Sequence, residues 1–213
     1  MSENKDKNGF EPCGATIGKI HCITVAGQVE GHIRLPQDTK ATKYEKLLPS
    51  LVWAEENPDI EGVLILLNTV GGDVEAGLAI AELISGMKKP TVSLVLGGGH
   101  SIGVPLAVSA DVSFIVPSAT MTIHPVRTSG TVIGVSQAFD YIKEIQHRIN
   151  DFIVRHSNIE RDKLEKYLFS TEVLANDVGT VVDGKQAVDD GLIDRLGSLS
   201  EAIDALKQLC EKK

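Results

Sequence analysis

Short runs of aliphatic and β-branched residues alternate with longer amphipathic runs between residues 20 and 125. Where strands and helices alternate in this way, right-handed crossovers usually join the strands into a largely parallel sheet. The order therefore predicts an α/β fold. The predicted strands are residues 20–26, 62–67, 91–96, 112–116 and 120–124.

The helices of this pattern are marked by apolar spacing and by their first residues. Asp73 has the side chain of a helix N-cap, and apolar residues follow it at helical spacing. Residues 135–155 combine an apolar stripe with a charged opposite face, which predicts a long amphipathic helix. The other predicted helices are residues 43–56, 160–168 and 185–191, and a last one that follows Ser198 and the capping-box residue Glu201.

Length and hydrophobic content determine the expected domain organisation. The chain has 213 residues, and 42% of them are hydrophobic, which is enough for the core of one domain. We expect residues 1–18 to form a flexible N-terminal segment and residues 19–210 to form a single domain. No apolar stretch is long enough to span a bilayer, and the N-terminus has no apolar signal-peptide core. The expected location is therefore cytoplasmic, without a membrane span.

Charge and cysteine usage exclude several classes of partner. The formal net charge of −8 argues against nucleic acid, because binding to a phosphate backbone needs clustered lysine and arginine. The three cysteines are widely spaced, so they offer neither a disulfide framework nor the spacing of a zinc site. We expect no metal and no organic cofactor.

Ser101 lies between a predicted buried strand and a run of small residues that predicts a helix. Glycines at 97–99 allow the backbone to turn sharply after the strand. A serine that opens the next helix has its hydroxyl beside unpaired backbone N–H groups and the positive helix end. Ser101 is therefore a candidate nucleophile for acyl chemistry, although a serine here can also serve only as a helix cap.

Three segments should end at the same edge of the predicted sheet, namely residues 68–73, 97–101 and 123–125. In parallel α/β sheets the functional site lies at the carboxyl ends of the strands, so we expect these segments to converge. The Gly71-Gly72 backbone and the N–H of Ile102 could then hold the negative oxygen of a tetrahedral intermediate. The alternative is a Gly-Gly turn that only reverses the chain.

His124 ends a predicted strand and precedes a proline, which favours an extended conformation. Imidazole is suited to accept a serine proton near neutral pH, so His124 is the candidate general base. A single histidine at a strand end is also often a structural residue. His100 ranks second as a base, because the side chain next to Ser101 in a turn tends to point away from it.

Two glycine-containing segments resemble cofactor motifs without matching them. Residues 179–186 follow a Walker loop until Gln186, which stands where a magnesium-binding Ser or Thr would be. We interpret this segment as a turn before a helix. Residues 97–103 resemble a dinucleotide fingerprint but have Ile102 at the place of its final glycine.

Several ordered motifs together resemble the ClpP serine-protease family. They are residues 27–32, 68–72, 97–103, 121–125 and 191–194. The resemblance covers most of residues 20–195, and the sequence is most similar to a branch of the family associated with protein translocation. It implies a ClpP/crotonase-type ββα spiral with a long protruding helix, and subunits that assemble into a homo-oligomeric ring. It also implies Ser101 as nucleophile, His124 as general base, and the N–H groups of Gly72 and Ile102 as the oxyanion hole.

The sequence departs from the family at the third catalytic residue. An ungapped alignment places Gly179 where ClpP-like proteases have an aspartate. Asp177 and Asp183 are the neighbouring carboxylates, and we choose Asp177 because it needs the smaller shift. A carboxylate there would orient His124 and stabilise its charged form.

The expected function is a serine peptidase that cleaves peptides or unfolded polypeptide segments, with a link to protein export and a separate ATPase unfoldase as partner. Two other hypotheses are kept. One is an acyl-CoA enzyme of the crotonase type, which uses a similar pair of backbone donors. The other is a non-catalytic ring that assists protein translocation.

Overall fold

The computed structural model describes residues 10–128, 130, 133–171 and 178–212. The strands are β1 (Ala15–Ile17), β2 (Ile20–Glu30), β3 (Ala41–Lys43), β4 (Gly62–Gly72), β5 (Thr91–Gly99), β6 (Val112–Ile115), β7 (Thr120–Ile123), β8 (Thr180–Asp183) and β9 (Arg195–Leu196). The helices are α1 (Tyr44–Glu56), α2 (Val74–Ser85), α3 (Gly103–Val108), α4 (Val135–Arg155), α5 (Arg161–Leu168), α6 (Gly184–Asp189) and α7 (Leu199–Glu211). The predicted α/β class is confirmed.

The main sheet has the strand order β1-β2-β4-β5-β6-β9. From β2 to β9 all of its neighbouring pairs are parallel, whereas β1 pairs antiparallel with β2. β2 and β4 are longer than predicted, because their pairing continues past a register shift at Gly27 and Gln28 as far as Gly72. Residues 68–72, which the sequence analysis placed after the predicted strand 62–67, are therefore the end of β4.

A second, smaller sheet is formed by β7 and β8 beside the end of β5. β7 contacts β5 through one parallel pair, Gly98 with Thr120, and pairs antiparallel with β8 along its whole length. Residues 179–186, interpreted from the sequence as a turn before a helix, contain β8 and the start of α6. A four-residue strand becomes stable here because Thr180 and Val182 are buried beside β7.

Aliphatic side chains fill both sides of the main sheet. The larger core packs β2, β4 and β5 against α1, α2 and α3, with Ile65 and Leu67 fully buried. On the other face, α7 covers Leu64, Leu94 and Phe114 with its own Leu206. α7 begins at the predicted capping box of Ser198 and Glu201. Within the described ranges, no helix has both the length and the apolar character needed to cross a membrane.

Candidate active site

Ser101 occupies a sharp turn between β5 and α3. Its φ of +56° makes it the one non-glycine residue in the described part of the chain with a left-handed backbone. This conformation costs an L-residue about 1–2 kcal/mol, so neighbouring strands must hold it in place. The Ser101 N–H donates to the Thr122 carbonyl at 2.8 Å, and the His100 N–H donates to the Thr69 carbonyl at 3.2 Å. The turn thus presents the hydroxyl at the carboxyl end of the sheet.

Gly71 passes directly behind this turn. A Cβ atom at position 71 would lie 2.7 Å from the Ser101 Cβ and 2.8 Å from the His100 carbonyl oxygen. Gly71 also has a φ of +91°. Both the space and the backbone conformation therefore require glycine beside Ser101.

Hydrogen bonds on either side of Gly72 hold the end of β4 in place. Asp73 N–H donates to the Val29 carbonyl of β2 at 3.0 Å, and Gly71 N–H donates to the Thr69 hydroxyl at 3.1 Å. The backbone here is one that only glycine adopts readily, with φ of +91° at Gly71 and +151° at Gly72. β5 has by then separated from β4, since their last pair is Thr69 with Gly99.

Ile102 supplies the other amide near Ser101. It is the N-cap of α3, and within the described structure its N–H has no backbone partner, as is usual for the first amides of a helix. Its side chain is buried against Gly77 of α2. The Ile102 amide is thereby held beside the serine by a packed side chain.

His124 lies just after β7 and is partly buried. Its Nδ1 lies 2.7 Å from the carbonyl oxygen of Pro125. Because a carbonyl only accepts, Nδ1 carries a proton, and in the neutral ring the lone pair is then on Nε2. This is the tautomer that can accept a proton from a serine hydroxyl.

The predicted nucleophile, base and amide donors line one cleft of about 260 Å³. Ser101, His124, Gly72 and Ile102 all contribute to its wall. In the described structure no hydrogen bond joins the Ser101 hydroxyl to His124. Catalytic hydrogen bonds are often loose without substrate and tighten when it binds, so this geometry is compatible with a Ser-His pair.

Gly179 lies beside His124. A Cβ atom at position 179 would be 2.8 Å from the His124 Cβ and 2.6 Å from the Ile123 carbonyl oxygen, and the φ of Gly179 is +140°. The position that the sequence alignment matches to the family's aspartate therefore cannot hold a side chain without strain. Asp177, the predicted third residue, lies outside the described residues.

Asp183, the other candidate acid, is used elsewhere. Its side chain accepts from the Gln186 N–H at 2.8 Å and caps α6. Asp183 pairs with Thr120, at the end of the β7–β8 ladder remote from His124. Four residues of strand span about 13 Å, which is too far for a carboxylate to orient the imidazole.

His100 turns away from the cleft. Its Nδ1 hydrogen-bonds to the Thr122 hydroxyl at 2.8 Å, and its Nε2 lies against Gly98. Burial lowers the pKa of His100, which keeps it neutral. His100 therefore supports the turn and does not line the cleft.

Two amide side chains on α4, Gln146 and Asn150, also line the cleft, and the sequence analysis missed them. They lie four residues apart within the apolar stripe of the helix, next to Ile149 and Ile153. Polar residues inside an apolar stripe are the signal that could have indicated them. The described residues contain no cluster of three or more side chains able to hold a metal ion.

The model of the Clp protease family matches residues 18–199. The chain belongs to the Clp protease family. The predicted resemblance to the ClpP family is thus confirmed, and the α/β architecture is consistent with the fold of that family.

The chain is also similar to two curated relatives. It is 58% identical over 194 residues to the translocation-enhancing protein TepA of Halalkalibacterium halodurans, covering 91% of this chain and 76% of that protein. It is 28% identical over 152 residues to an ATP-dependent Clp protease proteolytic subunit of Leuconostoc citreum, covering 70% of this chain and 66% of that protein. The similarity to TepA agrees with the predicted branch of the family.

Proposed function

We propose that the protein is a serine peptidase that cleaves peptides or unfolded polypeptide segments through an acyl-enzyme intermediate. The observation that supports it best is the common cleft of Ser101 and His124, with the left-handed turn at the serine. Membership of the Clp protease family supports the same reaction class.

In the proposed mechanism the Ser101 hydroxyl oxygen attacks the carbonyl carbon of the substrate. His124 Nε2 takes the hydroxyl proton and then gives it to the nitrogen of the leaving amine, as the peptide bond breaks. Water, deprotonated by the same nitrogen, attacks the ester and restores the serine. The N–H groups of Gly72 and Ile102 would stabilise both tetrahedral oxyanions, and each such donor is typically worth about a factor of 100 or more in rate.

The third catalytic residue is a separate part of the proposal. Asp177 stays the predicted carboxylate partner of His124. The Pro125 carbonyl already holds Nδ1 in its protonated state. A carboxylate would add stabilisation of the charged imidazolium, which a neutral carbonyl provides less strongly.

Membership of the Clp protease family supports a proposal for assembly and partners. We propose a homo-oligomeric ring, and the exposed Val135 and Phe139 on one side of α4, near its start, supply apolar surface for subunit contacts. The name of the Leuconostoc relative, an ATP-dependent protease subunit, supports a separate ATPase unfoldase as partner. The name of the Halalkalibacterium relative supports a link to protein translocation.

A non-catalytic ring that assists translocation is the second candidate. It is favoured by Gly179, which leaves no side chain at the position next to His124. In that case the family fold would be kept for binding, and Ser101 would not be needed for function.

Reaction with a fluorophosphonate probe, which modifies activated serines, tests the proposal. We expect the wild-type protein to be labelled, Ser101→Ala to remain unlabelled, and His124→Ala to be labelled far more slowly. Circular dichroism of each variant would establish that it is folded. Equal labelling of wild type and Ser101→Ala, or no labelling of the assembled wild-type protein, would favour the non-catalytic ring.

A further inference from the structure

The far wall of the cleft contains one polar group in an otherwise apolar surface. Val104, Ile123, Ile153 and Leu168 line the cleft and are almost completely buried. Asn150 of α4 lines it among them, and only 4% of this residue is exposed. An amide in such surroundings is costly unless its hydrogen-bonding groups are satisfied.

The hydrogen bonds of α4 determine which end of the Asn150 amide faces the cleft. The Val126 N–H, just after His124 and Pro125, donates to Gln146 Oε1 at 2.7 Å. Since an N–H must meet an oxygen, this bond directs Gln146 Nε2 towards Asn150. Gln146 Nε2 then donates to Asn150 Oδ1 at 2.8 Å. The oxygen of Asn150 is therefore occupied, and its Nδ2 is the remaining group.

Asn150 Nδ2 is an unused donor. Within the described part of the chain it has no hydrogen-bond partner, and no buried side-chain nitrogen or oxygen there lacks one. Nδ2 must therefore be accessible, and the space next to it is the cleft that Ser101 also lines. The donor is held in this direction by the chain of bonds from Val126.

We infer that Asn150 selects the substrate side chain that enters this cleft, an inference that rests on the proposed peptidase function. The preferred residue, immediately before the cleaved bond, has an unbranched apolar stem with a neutral hydrogen-bond acceptor near its tip. Its stem packs against Val104, Ile153 and Leu168, and its acceptor meets Asn150 Nδ2. A purely apolar side chain displaces water and leaves the donor unpaired, and a carboxylate would be buried among aliphatic groups.

Three fluorogenic peptides that differ in one atom test this selection. Before the cleaved bond they carry norleucine, methionine or O-methylhomoserine, whose side chains have the same number of non-hydrogen atoms. At one position the side chain has a methylene in norleucine, a sulfur in methionine and an ether oxygen in O-methylhomoserine. Because the acceptor strength rises in that order, we expect kcat/KM to rise with it, although the hydrophobicity of the side chain is lowest for the ether. The oxygen compound should exceed norleucine by about fivefold, the value of one neutral hydrogen bond.

Asn150→Asp provides a gain-of-function test. One carboxylate oxygen can still accept from Gln146, which keeps the helix contact, while the other faces the cleft and accepts instead of donating. We expect this variant to lose the preference for O-methylhomoserine and to cleave a peptide with lysine at that position at least fivefold better than wild type does. Gln137→Glu adds the same charge at an exposed position on α4 and should keep the wild-type order.

The outcomes separate this inference from the proposed function. If the wild-type protein cleaves all three peptides at equal kcat/KM, or if Asn150→Asp keeps the wild-type order, the role proposed for Asn150 is wrong. The proposed peptidase activity is then still supported, because the peptides are cleaved. If no peptide is cleaved and Ser101 is not labelled by fluorophosphonate, the proposed function itself fails.

Discussion

Around Ser101 and His124, the backbone approaches so closely that three positions have no room for a side chain. Gly71 lies behind the serine, Gly72 lies against the Val29 carbonyl, and Gly179 lies against His124. All three have φ values between +91° and +151°. Glycine is therefore needed at all three positions, because a Cβ atom at any of them would displace Ser101, the Val29 carbonyl or His124.

The neighbouring carboxylates can be distinguished by substitution. We expect Asp177→Ala to slow fluorophosphonate labelling at least about tenfold, because the imidazolium of His124 would lose its counter-charge. Asp183→Ala should leave the labelling rate unchanged and lower the free energy of unfolding by about 1 kcal/mol, since it removes the cap of α6. The measurements are labelling kinetics and urea unfolding of both variants. Normal labelling of Asp177→Ala would mean that the Pro125 carbonyl alone orients the ring.

Among the elements, α4 has two distinct halves. Its second half is docked along α2 by the ion pairs Arg148–Glu75 and Arg155–Glu82, and it supplies the wall of the cleft. These ion pairs are exposed, so they contribute little to the free energy of unfolding and serve mainly to align the two helices. The first half carries exposed apolar residues, with Phe139 67% exposed. One helix therefore connects the cleft with a surface suited to assembly.

The pairing of β1 with β2 is supported by a buried histidine, His21. Its ring is fully buried, with Nδ1 3.1 Å from the Thr16 hydroxyl and Nε2 3.2 Å from both the Cys13 carbonyl and the Ser50 hydroxyl. The edge of the ring also contacts Trp53 of α1. His21 thus joins the chain before β2 to the first helix.

Acid should weaken this junction. Burial lowers the pKa of His21, so the unfolded chain binds the proton first as the pH falls below about 6.5, and the free energy of unfolding decreases from there. We expect His21→Gln to reduce the difference between the urea midpoints at pH 7 and pH 5. Some difference should remain, because burial also lowers the pKa of His100 and His156. Exposed His147→Gln is the control, and an unchanged difference in His21→Gln would contradict the prediction.

At the scale of the whole molecule, the main sheet is covered on both faces, while the start of α4 is not. α7 buries Leu64 and Leu94 on one face, and α1 to α3 bury the other. The apolar side chains left exposed near the start of α4 are one surface available for a second subunit, in agreement with the proposed ring.

Assembly can be tested at Phe139. Phe139→Glu places a charge in the proposed subunit contact, so we expect the mass in solution to fall towards the 22.8 kDa of one chain. Light scattering coupled to size exclusion measures it. Gln137→Glu adds the same charge on another side of α4 and should keep the oligomer. If Phe139→Glu keeps the mass of the wild-type oligomer, Phe139 lies outside the contact.

The alternation of strands and helices, the capping residues and the candidate pair Ser101 and His124 could all be identified from the sequence. They depend on local periodicity and on the order of motifs, which a linear chain displays directly. The continuation of β4 through Gly72 and the strand β8 could not, because each becomes stable only through pairing with a distant segment.

The sequence by itself determined the α/β class and the chemistry that a serine, a histidine and glycines can perform. Only the tertiary structure decided that Gly179 faces His124, that the Pro125 carbonyl selects the tautomer, and that Asn150 turns its donor into the cleft. The reason is physical: the direction of a hydrogen-bonding group depends on partners brought together by folding, and residue type or local spacing does not specify those partners.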